Sequence, residues 1–375
     1  MYELNEIQQQ VQQMFKEFSD KHIAPVASKI DTENKFPLEL FRRIGDMGFF
    51  GMRYPEIVGG SGSDVISYSL AVTELARGSL SLAAVCTMQS LMGTHFLYRF
   101  GDKSIFENYF LPALKGELIG AICMTEPNSG SDLMSMTTTA KITENGFTLT
   151  GQKTWVTSAP VADFFTVFAK TDNSGQLSIF FVPRNTEGVI IGKNIEKLGV
   201  RGSLTSEVSF QEVQLPKNYL LGNPGEGTKC LREILAEIRI MTAALAIGVA
   251  TAAFNEAVEY AKTRVQFGKP IGKFQSIQTK FAEMSVQLET AKLYMINAAR
   301  LSDLDLPRQK ESMIAKLYAS ECAVRICDEA SRVLASYGYA TEYNLERYLR
   351  DSRFTLIGGG TSEILKINIA KELGL

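Results

Sequence analysis

Four short segments of the chain carry residue types that could do chemistry. Residues 124–132 read MTEPNSGSD, a turn-rich loop whose hydroxyls and backbone donors suit an anion or the polar edge of a ring. Residues 151–158 read GQKTWVTS and include the only tryptophan, Trp155, with Thr157 two residues later and so on the same side of a strand. Taken singly, the loop could be an ordinary surface turn and Trp155 could fill a core.

The other two segments lie later in the chain. Arg264 precedes the glycine turn of RVQFGKPI, where a guanidinium at a helix end could contact a phosphate. Residues 357–364 read IGGGTSEI, in which three glycines lead into a helix that Thr361 or Ser362 can cap. Free N–H groups at such a helix start suit an anion. A solvated charge and a plain helix start would look the same, so each segment alone is a weak signal.

Hydrophobic periodicity indicates the elements that position these segments. Apolar side chains recur at helical spacing through the first 120 residues, with a long run from Tyr68 to Phe100 that Gly78 and Gly93 interrupt. Short β-rich runs follow up to about residue 221, and an Asn-Gly pair at 145–146 indicates a hairpin. We predict an N-terminal helical domain at 1–119 and an antiparallel β domain at 120–225.

The helical period then returns, and we predict a C-terminal helical bundle domain at 226–375. One long helix covers 228–264, and its nearly all-apolar centre indicates burial on every side. A second is predicted to start at Asp305, which can cap it, with Pro307 in the first turn. Its inner stripe comprises Met313, Leu317, Val324, Cys327, Val333 and Leu334. The fold class is therefore mainly α with a central β domain.

Composition and charge exclude several classes of function. The chain has 375 residues, 45% hydrophobic, and its 39 Lys and Arg against 41 Asp and Glu give a formal net charge of −2, unlike the basic footprint of a nucleic-acid binder. No unbroken apolar run approaches the roughly 18 residues of a membrane span, and the start lacks a signal peptide, so we expect a soluble cytoplasmic protein with no membrane partner. Five scattered cysteines and two histidines argue against a metal site. G-x-G-x-x-G, P-loop and G-x-S-x-G motifs are absent from the sequence.

In this order and spacing, the four segments resemble the acyl-CoA dehydrogenase family over essentially the whole chain. The resemblance also includes KLGVRGS at 197–203, Thr205 and Arg350-Asp351. It implies an FAD flavoprotein with an N-terminal helical domain, a central β barrel and a C-terminal four-helix bundle. It further implies a homodimer or homotetramer that oxidises an acyl thioester carried by CoA or by an acyl carrier protein. An electron-transfer flavoprotein is a candidate electron acceptor.

The same resemblance assigns the site residues. Thr125 and Ser131 match positions that hydrogen-bond the flavin, Trp155 the residue packed against its ring, and Thr157 the hydroxyl near flavin N5. Arg264, Phe267 and Gln275 match residues that reach the FAD of a neighbouring subunit. The full set of predicted FAD contacts is Met124, Thr125, Gly130, Ser131, Trp155, Thr157, Arg264, Phe267, Gln275, Arg332, Thr361 and Glu363. The predicted substrate contacts are Ser131, Arg239 and Gly359.

The family's usual catalytic carboxylate is missing. Its dehydrogenases remove the α-proton of a thioester with a glutamate, placed immediately before the Gly-Thr of the closing motif, while the β-hydrogen leaves as hydride. Here that residue is Gly359. The alternative place, just before the arginine that matches Arg239, holds Ile238. Glu237 is adjacent, but one helical position turns a side chain by about 100°. The backbone N–H of Gly359 can still polarise a thioester carbonyl.

Two further departures affect the contacts around the site. Arg332, Ala335 and Ser336 stand where the family often shows Gln and a Gly-Gly pair. Arg332 could still meet a phosphate. Ala236 replaces an aspartate that commonly precedes the helix arginine, which suggests an altered contact to the thioester or pantetheine.

Several functions are compatible with the loss of the carboxylate. We favour oxidation at a carbon bearing a hydroxyl or amino group, on a carrier-protein-tethered acyl unit used as a polyketide extender. A conventional dehydrogenase would need another base, for which Glu237 and His95 are candidates. An enoyl-thioester reductase would also tolerate the loss. From other classes, a flavin monooxygenase on the same fold and a noncatalytic binding protein stay open.

Overall fold

Helices form the first part of the chain, a sheet forms the middle part, and helices return for the remainder. The computed structural model describes residues 3–171 and 175–375. This order confirms the predicted fold class.

Side-chain caps start several of the N-terminal helices. Asn5 and Gln8 form a reciprocal capping box, while Asp64 and Ser79 each accept a hydrogen bond from a backbone N–H three residues later. The helices are α1 (Glu6–Phe18), α2 (Ala24–Glu33), α3 (Leu38–Asp46), α4 (Val65–Gly78), α5 (Leu80–Met88), α6 (His95–Phe100), α7 (Lys103–Ile105) and α8 (Leu111–Leu114). Gly78 ends α4, and a π-helical turn ends at Gly93, as the predicted interruptions require.

The middle part forms a mixed sheet. Its strands are β1 (Gly120–Cys123), β2 (Thr139–Ile142), β3 (Gly146–Thr157), β4 (Phe164–Thr171), β5 (Leu177–Pro183), β6 (Val189–Ile191), β7 (Thr205–Pro216) and β8 (Leu220–Leu221). They follow the order β6-β7-β3-β2-β4-β5-β8, with β1 also on β4. The prediction of wholly antiparallel pairing is wrong, because β4 runs parallel to both β1 and β2. The predicted hairpin at 145–146 joins β2 to β3.

Long helices build the C-terminal part. They are α9 (Gly227–Thr263), α10 (Gln275–Asp303), α11 (Gln309–Leu334), α12 (Leu345–Thr355) and α13 (Ser362–Glu372), with a small hairpin of β9 (Val265–Gln266) and β10 (Lys269–Pro270) after α9. The predicted helix start at Asp305 is wrong: Asp305 has a left-handed φ of 51°, and α11 begins at Gln309, beyond Pro307. The stripe is also corrected, since Lys316 is fully buried while Leu317 is partly exposed.

Helix α9 is the axis on which the helical parts pack. Its Gly248 lies so close to α4 that an added Cβ would meet the carbonyl oxygen of Thr73 at 2.4 Å and the Cβ of Ala76 at 2.5 Å. Two stretches, Leu80–Phe100 and Gly227–Thr263, are long and apolar enough to cross a membrane, which counting unbroken apolar runs did not detect. The most apolar 18 residues of each stretch are 89% and 83% buried inside the fold, respectively, as in the core helices of a soluble protein.

Arg350 on α12 joins the three parts of the chain. Its guanidinium donates to the buried carboxylate of Asp31 on α2 at 2.6 Å, to the carbonyl of Leu198 at 3.1 Å, and to Glu346 on its own helix at 2.6 Å. The neighbouring Asp351 is fully buried and accepts a hydrogen bond of 2.6 Å from the N–H of Val200. The segment at 197–203 is therefore anchored to both helical parts.

Replacing Arg350 tests this junction. Arg350→Met should lower the free energy of unfolding by about 3 to 5 kcal/mol, because Asp31 keeps its buried charge without a cation. Arg325→Met, at a site that is 65% exposed, is the control and should change stability by less than about 0.5 kcal/mol. Denaturant titration measures both, and equal midpoints for the two variants would contradict a structural role for Arg350.

Candidate active site

A buried ion pair fixes the turn-rich loop after β1 against β3. The fully buried Lys153 donates to the carboxylate of Glu126 at 2.9 Å and to the carbonyl of Met124 at 3.2 Å. Thr137 donates to Glu126 through both its backbone N–H and its hydroxyl. Burial raises the pKa of Glu126, but hydrogen bonds from Thr138 and Lys153 outweigh burial, and the pKa falls to about 2.

The loop presents one solvent-facing edge beside β3. The N–H of Thr154 donates to the carbonyl of Thr125 at 2.9 Å, which places Thr125 against the strand. Gly130 and Ser131 are exposed, and the ideal Cβ position on Gly130 lies 4.0 Å from the methyl group of Thr125. Three of the predicted cofactor contacts are therefore together.

Trp155 points outward from β3. The register between β3 and β7 shifts between Lys153 and Val156, which leaves one extra residue on β3, a β-bulge. Trp155 has a φ of 57° and is 58% exposed, whereas Val156 is buried and Thr157 is half-buried. An exposed indole on a left-handed backbone within a strand fits a planar ligand better than a folding role. The interpretation of Trp155 as a core residue is wrong.

The β9–β10 hairpin and the end of α11, with parts of α9 and α10, line an open cavity of about 490 Å³. Its lining includes Arg264 and Phe267 from the hairpin, and Ala335 and Ser336 after α11. The Arg264 guanidinium lies 5.6 Å from the ring centre of Tyr337, and Phe267 is 94% exposed at the hairpin tip. The cavity therefore collects residues that the resemblance assigns to a neighbouring subunit's cofactor.

Two other predicted cofactor residues do not line this cavity. Gln275 is exposed at the start of α10. Arg332 is 65% exposed and pairs with the carboxylate of Asp328 at 2.8 Å. Ala335, where the family pattern has glycine, adopts φ 54° and ψ −125°, a conformation that favours glycine. The departures from the family pattern thus leave a surface ion pair and a strained alanine.

The glycine turn before α13 is held at both ends. Lys316 on α11 donates to the carbonyl oxygens of Leu356 at 3.2 Å and Gly360 at 2.6 Å. Thr361 caps α13 by accepting a 3.3 Å hydrogen bond from the N–H of Ile364, as predicted from the sequence. Burial lowers the pKa of Lys316 to about 8. Glu363, another predicted cofactor contact, is exposed in the first turn of α13.

Gly359, at the centre of this turn, has a left-handed φ of 71°. A Cβ there would lie 2.8 Å from the hydroxyl oxygen of Thr242 and 3.8 Å from a methyl group of Ile238, both on α9. The Thr242 hydroxyl donates to the Ile238 carbonyl at 2.8 Å. The two residues that face this position are therefore not acidic.

The two alternative bases lie beside Arg53. Glu237 forms an ion pair with Arg53, whose guanidinium also donates to the Ser90 carbonyl at 3.2 Å. Burial, with a smaller effect of Arg53 and Arg99, lowers the pKa of His95 to about 3. Glu237 is therefore held in an ion pair with Arg53, and His95 is a very weak base in this environment.

Arg239, a predicted substrate contact, is 8% exposed on α9. One of its terminal nitrogens lies 3.4 Å from the side-chain oxygen of Gln309, and its Nε has no partner among the described residues. Burial lowers its pKa. The arginine therefore has unused donor capacity.

The sequence did not reveal the contacts that Lys153, Lys316 and Thr242 make around the candidate site. Lys316 carried a signal, because it lies three residues after Met313 and so shares the inner face of its helix. Lys153 and Thr242 carried none, since their roles depend on partners distant in the chain. In residues 3–171 and 175–375, no group of three His, Cys, Asp or Glu side chains is placed to hold a metal ion.

The acid stability of the protein tests the Glu126 pair. Because the folded pKa of Glu126 is about 2 against an ordinary 4.5, its contribution to stability is complete above pH 4.5 and is lost as the pH falls toward 2. Glu126→Gln should remove on the order of 2 to 3 kcal/mol at neutral pH and flatten the acid limb of stability against pH. The control, exposed Glu342→Gln, should keep that limb. An unchanged limb in Glu126→Gln would contradict the assignment.

Comparison with known proteins identifies the family. Family models for the N-terminal, middle and C-terminal domains of acyl-CoA dehydrogenases match residues 5–117, 121–213 and 225–374. The benzylmalonyl-CoA dehydrogenase of Aromatoleum aromaticum is 54% identical over 373 residues, which are 99% of each chain.

Solved structures agree along the full length. Butyryl-CoA dehydrogenase from Megasphaera elsdenii superposes with a TM-score of 0.96 at 36% identity, covering 100% of both chains. The prolyl acyl carrier protein oxidase AnaB gives 0.95 at 31% identity, also over 100% of both. A glutaryl-CoA dehydrogenase from Mycobacterium smegmatis in complex with FADH2 gives 0.94 at 29% identity, covering 99% of this chain and 95% of that one. The protein therefore belongs to the acyl-CoA dehydrogenase family, an FAD-dependent oxidoreductase that acts on acyl thioesters.

Proposed function

We propose that the protein oxidatively decarboxylates a CoA thioester whose α carbon bears a second carboxylate, a 2-substituted malonyl-CoA. The observation that carries the proposal is Gly359, which stands where the family places its base and faces Ile238 and Thr242. One way to act without a base there is to use a substrate whose α carbanion can form without loss of a proton. A carboxylate on the α carbon meets this need.

The chemistry balances without a protein base. The bond from the α carbon to the carboxylate breaks, CO2 leaves, and the electron pair forms the double bond to the β carbon as the β hydrogen departs with two electrons. FAD, when bound, accepts this hydride. The backbone N–H of Gly359 polarises the thioester carbonyl and stabilises charge that develops on its oxygen. The product is an α,β-unsaturated thioester.

The likeness to the benzylmalonyl-CoA dehydrogenase of Aromatoleum aromaticum supports this substrate class. Benzylmalonyl-CoA carries a free carboxylate and a benzyl group on the same α carbon, and the dehydrogenase named for it shares 54% of its residues with this chain. The state of the other candidate bases adds support, since Glu237 is paired with Arg53 and the pKa of His95 is lowered to about 3.

In this proposal the exposed edge of Thr125, Ser131, Trp155 and Thr157 holds the flavin. The hairpin cavity with Arg264 and Phe267 receives the cofactor of a neighbouring subunit, which makes the enzyme a homodimer or homotetramer. Electrons then pass to an electron-transfer flavoprotein, and the enzyme works in the cytoplasm. The exposure of Trp155 and Phe267, 58% and 94%, supports both contacts.

A pair of substrates tests the proposal. The FAD-loaded protein, kept anaerobic, is mixed with 2-benzylmalonyl-CoA or with 3-phenylpropanoyl-CoA, which has the same skeleton without the carboxylate. The first should bleach the flavin and release one CO2 per flavin. The second should react about 10² to 10⁴ times more slowly, the usual contribution of a general base. Equal rates, or bleaching without CO2, would refute decarboxylation.

Restoring the carboxylate gives a second test. Gly359→Glu alone should oxidise 3-phenylpropanoyl-CoA poorly, because a side chain at φ 71° is strained and its Cβ meets the Thr242 hydroxyl at 2.8 Å. Adding Thr242→Ala removes that contact, so the double variant should be at least about tenfold faster, which corresponds to 1.4 kcal/mol. Thr242→Ala alone is the control and should gain nothing. A single variant as fast as the double would contradict this account.

A second candidate function keeps the acyl group on a carrier protein. The likeness to the prolyl acyl carrier protein oxidase, 31% identical over the whole chain, favours it. Here a hydroxy- or aminoacyl group on the carrier is oxidised at the carbon bearing the heteroatom, as in polyketide extender-unit synthesis. Bleaching by such a carrier-linked substrate, with no bleaching by benzylmalonyl-CoA, would select it. Hydroxylated product formed in air would instead indicate a monooxygenase.

A further inference from the structure

Arg239 has the burial and the free donor of a group that lacks its ligand. The residue is 8% exposed, its Nε has no hydrogen-bond partner, and its one contact through a terminal nitrogen is a long one, 3.4 Å, to neutral Gln309. No acidic side chain of the described residues lies within salt-bridge distance of its guanidinium. A buried cation without an anionic neighbour is unfavourable, so such a group usually has a partner.

A second buried cation lies close by. Lys316 is fully buried, and its ammonium contacts carbonyl oxygens only, at Leu356 and Gly360. Gln309 and Lys316 are seven residues apart on α11, hence two turns along one face, so Arg239 packs against the face that carries Lys316. Burial lowers the pKa of Lys316, Glu321 and Glu363 raise it, and repulsion between the two cations adds to the lowering. An anion between α9, α11 and the glycine turn would relieve this repulsion.

This space between α9, α11 and the glycine turn also adjoins the reacting carbon of the proposed substrate. Arg239 follows Ile238 and precedes Thr242 by less than one turn, and these two residues face Gly359. The family pattern commonly has carboxylates at positions 236 and 359, and this chain has Ala236 and Gly359 there. Arg239 therefore lies beside the proposed position of the thioester without a carboxylate partner among the described residues.

We infer that Arg239 is the specificity-determining residue that binds the free α-carboxylate of the substrate, with Lys316 contributing positive charge behind it. The inference rests on the proposed function for the identity of the anion. A planar guanidinium can donate two parallel hydrogen bonds to a carboxylate. Once cleavage converts the carboxylate to neutral CO2, this attraction ends and the gas can leave. The substrate thus supplies the negative charge that the protein lacks.

Binding of malonyl-CoA and acetyl-CoA to the FAD-loaded protein tests the inference. Neither thioester has a β hydrogen, so neither can be dehydrogenated, and a check that no CO2 is released from malonyl-CoA during the titration shows that binding alone is measured. Isothermal titration of the wild type should give a Kd for malonyl-CoA at least about tenfold below that for acetyl-CoA. Arg239→Met should remove this preference, so that the Kd values for malonyl-CoA and acetyl-CoA differ by less than about twofold. Arg239→Lys should keep part of it, because a point charge remains.

The control is Arg232→Met, which removes an exposed arginine from the same helix and should keep the full preference. A wild type without preference, or an Arg239→Met protein that keeps it, overturns the inference. If Arg239→Met does not retain FAD, the comparison of wild type with Arg239→Lys and Arg239→Gln decides instead. Benzylmalonyl-CoA could fail to bleach the flavin while the preference for malonyl-CoA stays intact. That result would count against the proposed reaction and not against carboxylate binding by Arg239.

Discussion

The ion pair between Arg350 and Asp31 is the interaction on which the arrangement of the three parts depends. It ties α12 to α2, while the same guanidinium holds the carbonyl of Leu198 and the adjacent Asp351 holds the N–H of Val200. One pair of consecutive residues therefore fixes a loop of the sheet part between two helical parts. The edge of Trp155 and the glycine turn at 358–360 come from different parts, so their relative position requires such a junction.

The sequence predicted those features that depend on local pattern. Hydrophobic period separates helix from strand, the Asn-Gly pair marks the β2–β3 hairpin, and Thr361 caps α13 as its type and place require. The four motifs, taken in order, indicated the family. Features that depend on distant partners were not predictable, such as the parallel pairing of β4 and the buried pair of Lys153 with Glu126. The late start of α11 was missed because Asp305 has the residue type of a cap but turns into a left-handed conformation.

In the candidate site, too, residue types could be predicted from the sequence but contacts between distant residues could not. The sequence shows that Gly359 and Ile238 lack a carboxylate, but not that Thr242 closes the space behind Gly359. It shows Arg239, but not that the guanidinium is buried with an unused donor. In each case the missing information is a contact across helices, which residue type and spacing do not encode. The absence of a carboxylate at Gly359 and the unpartnered Nε of Arg239 thus belong to one arrangement of α9, α11 and the turn.

The left-handed backbone at Gly359 has an evolutionary consequence. A glycine can take the place of a glutamate in a single step, and nothing in the turn opposes that exchange. The reverse exchange meets an unfavourable φ of 71° and a wall already occupied by Thr242, so it gives little benefit until a second residue changes. In descendants of this chain, a useful carboxylate at position 359 would therefore require two substitutions together.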